Sequence, residues 1–175
     1  SQSDGRLPAN HADIYFKELG SESPILVKLI MQSIYQSDKR RIKHIGAQQF
    51  GMKFLLRGLY AHNGLFYFYT RIDNDTNMPF AVDFVTFKVV DKKVAKRTAM
   101  QEQVLQPLRA YHQLLEVKAN DNERGVFVLE QFSLSQDQEL QVTLYERGGG
   151  RTLSFSLDQE DLLLAQKIDK LKLKW

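Results

Sequence analysis

The sequence has no cysteine, and it contains little tryptophan or proline. Its 175 residues include no cysteine, one tryptophan and four prolines. The absence of cysteine excludes disulfides, thiol nucleophiles and cysteine-based metal sites. It does not decide the compartment, because an envelope protein can fold without disulfides.

A hydrophobic run long enough to cross a membrane as a helix is also missing. The longest apolar segment, Ile25 to Tyr35, is interrupted by Lys28, Gln32 and Ser33. A spanning helix needs roughly 20 apolar residues, so we expect no transmembrane segment. The chain opens on Ser1 without a basic and apolar leader, and we therefore expect a mature or trimmed product.

Signatures of catalysis and metal binding are absent or incomplete. The run Asp73 to Asn77 begins like a calcium loop, but Met78 replaces the turn glycine and Phe84 the bidentate glutamate. An Asx-rich turn is the favoured interpretation. The four histidines share no metal-ligand spacing, and no nucleophile elbow is present. We expect no enzymatic activity, no cofactor and no metal.

What the sequence does contain is strand alternation separated by turn signals. Apolar and polar residues alternate over 139–146 and again over 152–157, with three glycines between the two runs. Asn63-Gly64 supplies the two positive φ angles of a type I′ hairpin turn, and Gly58 predicts a bulge or a bend. These patterns predict a mainly β protein, an antiparallel β-sandwich of the immunoglobulin-like type.

Helices are predicted to flank the sandwich at both ends of the chain. Ser23-Pro24 is a typical helix start, and apolar spacing continues to near Ser37. Asp158 is a cap for a final helix running to about Lys167. A short helix is also predicted from Ala95 to Val104. We divide the chain into a lead-in segment with one helix, residues 1–41, and a β-sandwich domain with a C-terminal helix, residues 42–175.

Positive charge and aromatic residues are both clustered. The net charge is +3, with basic residues concentrated in 38–57 and 88–109. Such clusters attract anionic partners, although a solvated scaffold face is the favoured interpretation. The aromatic group allows either a stacking platform or core packing; its members are Tyr60, Phe66, Tyr67, Phe68 and Tyr69.

A long basic excursion, 92–111, is the candidate interface. It exceeds the length of most loops in compact domains, and long loops are often functional. Charge mixed with an aromatic residue suits a protein interface. The predicted interface residues are Lys96, Arg97, Arg109 and Tyr111. The alternative, that the excursion covers one end of the sandwich, remains equally open.

Three segments carry a resemblance to a known family. They are IKHIGAQQFGMKFLLRGLY, PFAVDFVTFKVVDKKVAKRTAMQEQVLQPLRAY and VTLYERGGGR. Over Ile42 to Lys174, about three quarters of the chain, the sequence resembles the C-terminal half of the TraN family of Bacteroides conjugative transposons. That family is in turn distantly similar to the β-sandwich subunit of the outer-membrane core of type IV secretion systems.

The resemblance implies a non-enzymatic structural subunit of a conjugative DNA-transfer apparatus. It implies a periplasmic location at the outer membrane. The implied partners are further copies of the chain, other envelope subunits of the machinery and a small lipoprotein, without direct nucleic-acid contact. The alternative is a periplasmic module that binds glycan or peptidoglycan on outward-facing aromatic residues. Direct DNA binding through the basic segments is the weakest hypothesis.

Overall fold

Two sheets and two helices make up the computed structural model, which describes residues 19–20, 22–92 and 101–170. The helices of this part are α1 (Pro24–Ser37) and α2 (Gln159–Leu163), and a 3₁₀ turn follows at Ile168–Lys170. The strands are β1 (Gly46–Gln49), β2 (Met52–His62), β3 (Leu65–Asn74), β4 (Phe80–Asp91), β5 (Glu102–Leu105), β6 (Arg109–Tyr111), β7 (Glu116–Val117), β8 (Asp121–Glu130), β9 (Gln138–Glu146), β10 (Thr152–Leu157) and β11 (Gln166–Lys167).

The strands form two sheets that lie face to face. The first sheet has the order β1-β2-β3-β8-β6, with β11 added in parallel beside β2. The second has the order β10-β9-β4-β5, with β7 also paired to β4. The other pairings described are antiparallel. The prediction of a mainly β, antiparallel sandwich with flanking helices is confirmed.

The main core lies between the two sheets and is rich in phenylalanine. Phe54 of the first sheet packs against Phe155 of the second, with ring centroids 4.8 Å apart. Phe68 meets Phe87 in the same way at 5.4 Å. All four side chains are buried, so the alternation read in the sequence places the apolar face of each strand inward.

Helix α1 forms a third layer on the outer face of the first sheet. Ser23 caps it by accepting a hydrogen bond from the Leu26 N–H, and Pro24 occupies the first turn. One face of the helix is buried against the tyrosines of β3 and the valines of β8. The buried apolar residues of that face are Val27, Ile30, Met31 and Ile34. The helix of the predicted lead-in segment therefore packs directly on the sandwich.

The β2–β3 hairpin follows the sequence prediction closely. Asn63 and Gly64 have φ angles of 49° and 79°, as a type I′ turn requires. The register of β2 against β3 shifts between Leu56 and Gly58, which leaves Arg57 as the extra residue of a β-bulge. Of the two alternatives predicted at Gly58, a bulge or a bend, the structure has the bulge, directly before this glycine.

Two predicted helices are wrong in extent. The predicted helix Ala95–Val104 overlaps strand β5, because residues 102–105 pair with residues 87–90 of β4. Residues 95–100 of that prediction lie outside the described part. The final helix ends at Leu163 rather than near Lys167, since Gln166 and Lys167 pair with β2. In both cases ladder hydrogen bonds outweigh helix propensity.

The basic excursion is a connection that crosses between the sheets. Among its described residues, those of β5 pair with the second sheet and those of β6 pair with β8 of the first. The chain then returns to the second sheet as β7. Pro107 separates β5 from β6, where no ladder hydrogen bond is required of it.

Candidate functional site

The end of α1 brings a carboxylate into contact with the first sheet. Asp38 follows the last helical residue and has a φ of 46°, in the left-handed region that aspartate tolerates. Its N–H donates to the Ile34 carbonyl at 3.2 Å. This geometry turns the Asp38 side chain toward β2, β3 and β8.

The Asp38 carboxylate is the centre of a hydrogen-bonded cluster. It accepts a short hydrogen bond from the Tyr69 hydroxyl and lies 3.3 Å from Arg124 and 3.5 Å from Arg57. Arg124 also donates to the Tyr69 hydroxyl at 2.7 Å and to the Tyr35 carbonyl at 2.6 Å. These contacts join the end of α1 to three strands of the sheet.

The cluster changes the protonation behaviour of Tyr69. Burial, followed by the hydrogen bond to Asp38, raises the pKa of Tyr69 to about 12, while Arg124 acts in the opposite direction. The hydroxyl therefore remains a hydrogen-bond donor at neutral pH. Its proton is used to hold Asp38, so the cluster is suited to fastening the helix.

Three aromatic rings lie at the surface beside this cluster. Tyr35 contacts Tyr111 edge to face at 5.4 Å and His112 at 5.3 Å. The guanidinium of Arg124 lies 4.0 Å from the centre of the Tyr35 ring, within cation–π distance. Tyr35 and Tyr111 are half-buried and His112 is exposed. We call Tyr35, Tyr111 and His112 the aromatic patch.

The aromatic patch contains one of the four predicted interface residues. Tyr111 lies in β6, the strand at one edge of the first sheet. Arg109 is 5% exposed, and one of its donors goes to the Leu108 carbonyl, so its side chain belongs to the fold. Lys96 and Arg97 lie outside the described residues. The interface role of these four residues stays a prediction.

Sequence reasoning missed the partners that surround Tyr111. Tyr35 and Arg124 are far apart in the chain and become neighbours only because α1 packs across β8. Tyr35 does continue the helix that begins at Pro24, and Arg124 sits among alternating residues of β8. Neither pattern indicates that the two side chains stack.

The aromatic strand residues do not form an exposed platform. Phe66 and Phe68 face the core between the sheets. Tyr60, Tyr67 and Tyr69 face the other side, where α1 covers them. Each is at most 7% exposed, so the core-packing interpretation of this group is confirmed.

The turn after β3 is built by its own side chains. The Asn74 side chain accepts from the Thr76 N–H at 3.0 Å and donates to the carbonyls of Met78 and Val117 at 2.7 and 3.2 Å. This is the Asx turn that the sequence indicated. Within residues 19–20, 22–92 and 101–170, no group of three or more His, Asp or Glu residues is arranged to hold a metal ion.

Across the part of the chain that the structure describes, no helix combines the length and hydrophobicity needed to span a bilayer.

Comparisons with known proteins give a family but no function. No curated protein matches this chain. A family model matches residues 24–167, a range that includes α1, both sheets and α2. The chain therefore belongs to the family described as a domain of unknown function, DUF4138.

Proposed function

We propose that this domain is a non-enzymatic structural subunit of a conjugative DNA-transfer apparatus, similar to type IV secretion, that acts through protein–protein contacts in the cell envelope. The resemblance to the TraN family motivates the biological setting. The aromatic patch is the observation that carries the mode of action, because it places aromatic rings and an arginine together at the surface.

The composition of the patch is that of a protein contact. Tyrosine and arginine are enriched at the energetically dominant positions of interfaces. Tyr111 is supported by Tyr35, and Tyr35 is supported by Arg124, which is itself bound to the Asp38 cluster. Side chains already held in place lose little conformational freedom when a partner binds. The patch is thus suited to a lasting assembly contact.

The proposed location is the periplasm at the outer membrane. The proposed partners are other envelope subunits of the transfer machinery, a small lipoprotein and further copies of the chain. Stable assemblies of this kind use interfaces of roughly 1,200 Å² or more in total, so the patch would be the centre of a larger contact rather than its full extent.

The alternative function, a glycan- or peptidoglycan-binding module, receives less support. It requires aromatic rings that line an exposed groove. The aromatic residues of β2 and β3 on which that hypothesis rested are buried. The contact role is therefore the function that the geometry favours.

Site-specific photo-crosslinking in cells that carry the transfer system tests the proposal. p-Benzoylphenylalanine is placed at His112, the exposed member of the aromatic patch, so that Tyr35 and Tyr111 are both retained. We expect a discrete adduct with an envelope protein, identified by mass spectrometry. The matched control carries the same crosslinker at Ser154, an exposed residue of β10 on the opposite side of the sandwich.

The two positions separate a specific contact from general proximity. An adduct at position 112 that is absent at position 154 supports the proposal. No adduct at 112, or the same adducts in equal yield at both positions, overturns it. Thermal unfolding of both purified variants shows that each is folded.

A further inference from the structure

Residues 39–43 form a short stretch of exposed positive charge. Lys39, Arg40, Arg41 and Lys43 fill four of its five positions, and all four are exposed. In the described part of the chain, none of them forms an ion pair. We call Lys39 to Lys43 the basic segment.

The bulge in β2 holds the basic segment in place. The Arg57 carbonyl accepts hydrogen bonds from both the Arg41 and Ile42 N–H groups, at 2.8 and 2.9 Å. A further bond joins the Leu56 N–H to the Ile45 carbonyl at 3.1 Å. Because Arg57 is the extra residue of the bulge, its carbonyl is available for this double role. The cations therefore project from a fixed backbone.

The carboxylates that flank the segment, Asp38 and Asp161, already have partners. Asp38 is bound by Tyr69, Arg57 and Arg124. Asp161 lies 3.2 Å from His44, just past one end of the segment. The charge of Lys39 to Lys43 is thus uncompensated within the described fold and is bounded by an acidic side chain.

We propose that the basic segment is a docking site for a short acidic segment of a partner protein. Four cations within five residues match a few carboxylates in sequence. The Arg41 side chain already hydrogen-bonds Tyr60, whereas the Arg40 guanidinium uses only its Nε, which donates to the Ile42 carbonyl at 3.4 Å. The two terminal nitrogens of Arg40 are suited to paired hydrogen bonds with a carboxylate. The site deepens, and rests on, the proposed function in protein assembly.

Charge and size favour an acidic peptide over nucleic acid. Duplex DNA carries a phosphate charge about every 1.7 Å of its axis and extends beyond any short patch.

The basic segment is continuous with the aromatic patch. Lys39 directly follows Asp38, which contacts Arg124, and Arg124 lies over Tyr35. A partner seated on the aromatic rings would therefore reach Lys39 with a segment next to its contact with the rings. This adjacency gives the two surfaces one contiguous contact area.

Fluorescence anisotropy with labelled decaglutamate tests the docking site on the 175-residue chain. The test variant is Lys39→Gln/Lys43→Gln, and the control is Lys118→Gln/Lys167→Gln, two exposed lysines elsewhere. Both variants lose the same net charge. At low ionic strength we expect the test variant to bind about fivefold more weakly than the wild type, since each lost ion pair has a modest effect. The control should remain within about twofold.

Three outcomes overturn the docking site: no decaglutamate binding by the wild type, equal weakening in both variants, or tighter binding of an oligothymidylate of equal charge. Unchanged thermal unfolding of the variants excludes misfolding as the cause. The outcome is separable from that of the crosslinking experiment. Binding of decaglutamate without an adduct at position 112 leaves the docking site standing and removes the assembly role, and the reverse result removes the docking site alone.

Discussion

The outer faces of the two sheets differ in what covers them. On the first sheet, Tyr67, Tyr69, Val126 and Val128 face outward and are completely buried by α1. On the second sheet, hydroxyl side chains face outward. Thr143 of β9 and Ser154 of β10 are directly opposite each other and form a hydrogen bond of 2.9 Å. One outer face is part of a second core, and the other is open to solvent.

The sequence pattern of each strand reflects this difference. Strand β3 is buried along six consecutive residues from Leu65 to Thr70, as expected of a strand covered on both sides. Strand β10 alternates instead, with Leu153, Phe155 and Leu157 buried and Ser154 and Ser156 exposed. A run of aromatic residues that breaks the alternation thus marks the sheet that carries the helix.

Truncating the helix face should have the largest effect on stability. We expect Ile30→Ala to lower the free energy of unfolding by about 2–5 kcal/mol, because Ile30 lies on the buried face of α1 and is fully buried against the first sheet. The matched control is Ile25→Ala in the same helix, where the side chain is 78% exposed and the change should stay within about 0.5 kcal/mol. Urea unfolding measures both. Equal losses would show that α1 does not cover the first sheet.

Removing one hydroxyl under the helix should have an intermediate effect. Tyr69→Phe deletes the donor to Asp38 and the acceptor of Arg124, and we expect a loss of about 1.5–3 kcal/mol. Tyr67→Phe is the matched control. The Tyr67 hydroxyl is buried and has no hydrogen-bond partner in the described part of the chain, so its removal should be neutral or slightly stabilising. A similar loss in both variants would contradict the role of the Asp38 cluster.

The same tyrosines predict sensitivity of the covered face to alkali. The folded pKa of Tyr69, about 12, exceeds its ordinary value of 10.0, and burial also raises the pKa of Tyr67. The folded protein therefore keeps protons that the unfolded chain releases. The stabilisation that comes from keeping these tyrosine protons is complete below about pH 10 and is lost as the pH rises through about 12. The variant Tyr67→Phe/Tyr69→Phe should show a weaker decline of the unfolding free energy over this range.

The smallest effect on stability is expected in the β9–β10 hairpin of the second sheet. Arg151 forms two hydrogen bonds with the Glu146 carboxylate, at 3.1 and 2.5 Å, and these hydrogen bonds lower the pKa of Glu146 below its ordinary value of 4.5. The stabilising effect is present above about pH 4.5 and is lost as the pH falls through the folded pKa. Glu146→Gln should lower the free energy of unfolding by about 1 kcal/mol or less at pH 7. The variant should also lose less stability than the wild type as the pH falls below about 4.5. An unchanged pH dependence in the variant would contradict this assignment.

Local sequence signals predicted the elements whose stability is local. The Ser23-Pro24 start of α1, the Asn63-Gly64 turn and the bulge at Gly58 were predicted because each depends on the conformational preferences of one or two residues. The limits of β10 were predicted because alternation needs only one buried face. The family resemblance added a biological setting that the patterns alone did not indicate.

Long-range pairing was not predictable in the same way. Residues 102–105 have no local feature that prefers the edge of β4 over a helix, and Gln166 has none that prefers β2. The Asp38 cluster likewise requires α1, β2, β3 and β8 to meet. The position of such contacts depends on distant parts of the chain.

The sequence by itself determined the mainly β class, the hairpin and the alternating strands, because backbone preference and side-chain period act over a few residues. Only the tertiary structure decided which sheet face is covered, that Tyr111 packs edge to face against Tyr35, and that the bulged Arg57 holds the basic segment. Those arrangements result from burial of apolar surface and pairing of polar groups between segments far apart in the chain, and no short stretch of sequence contains that information.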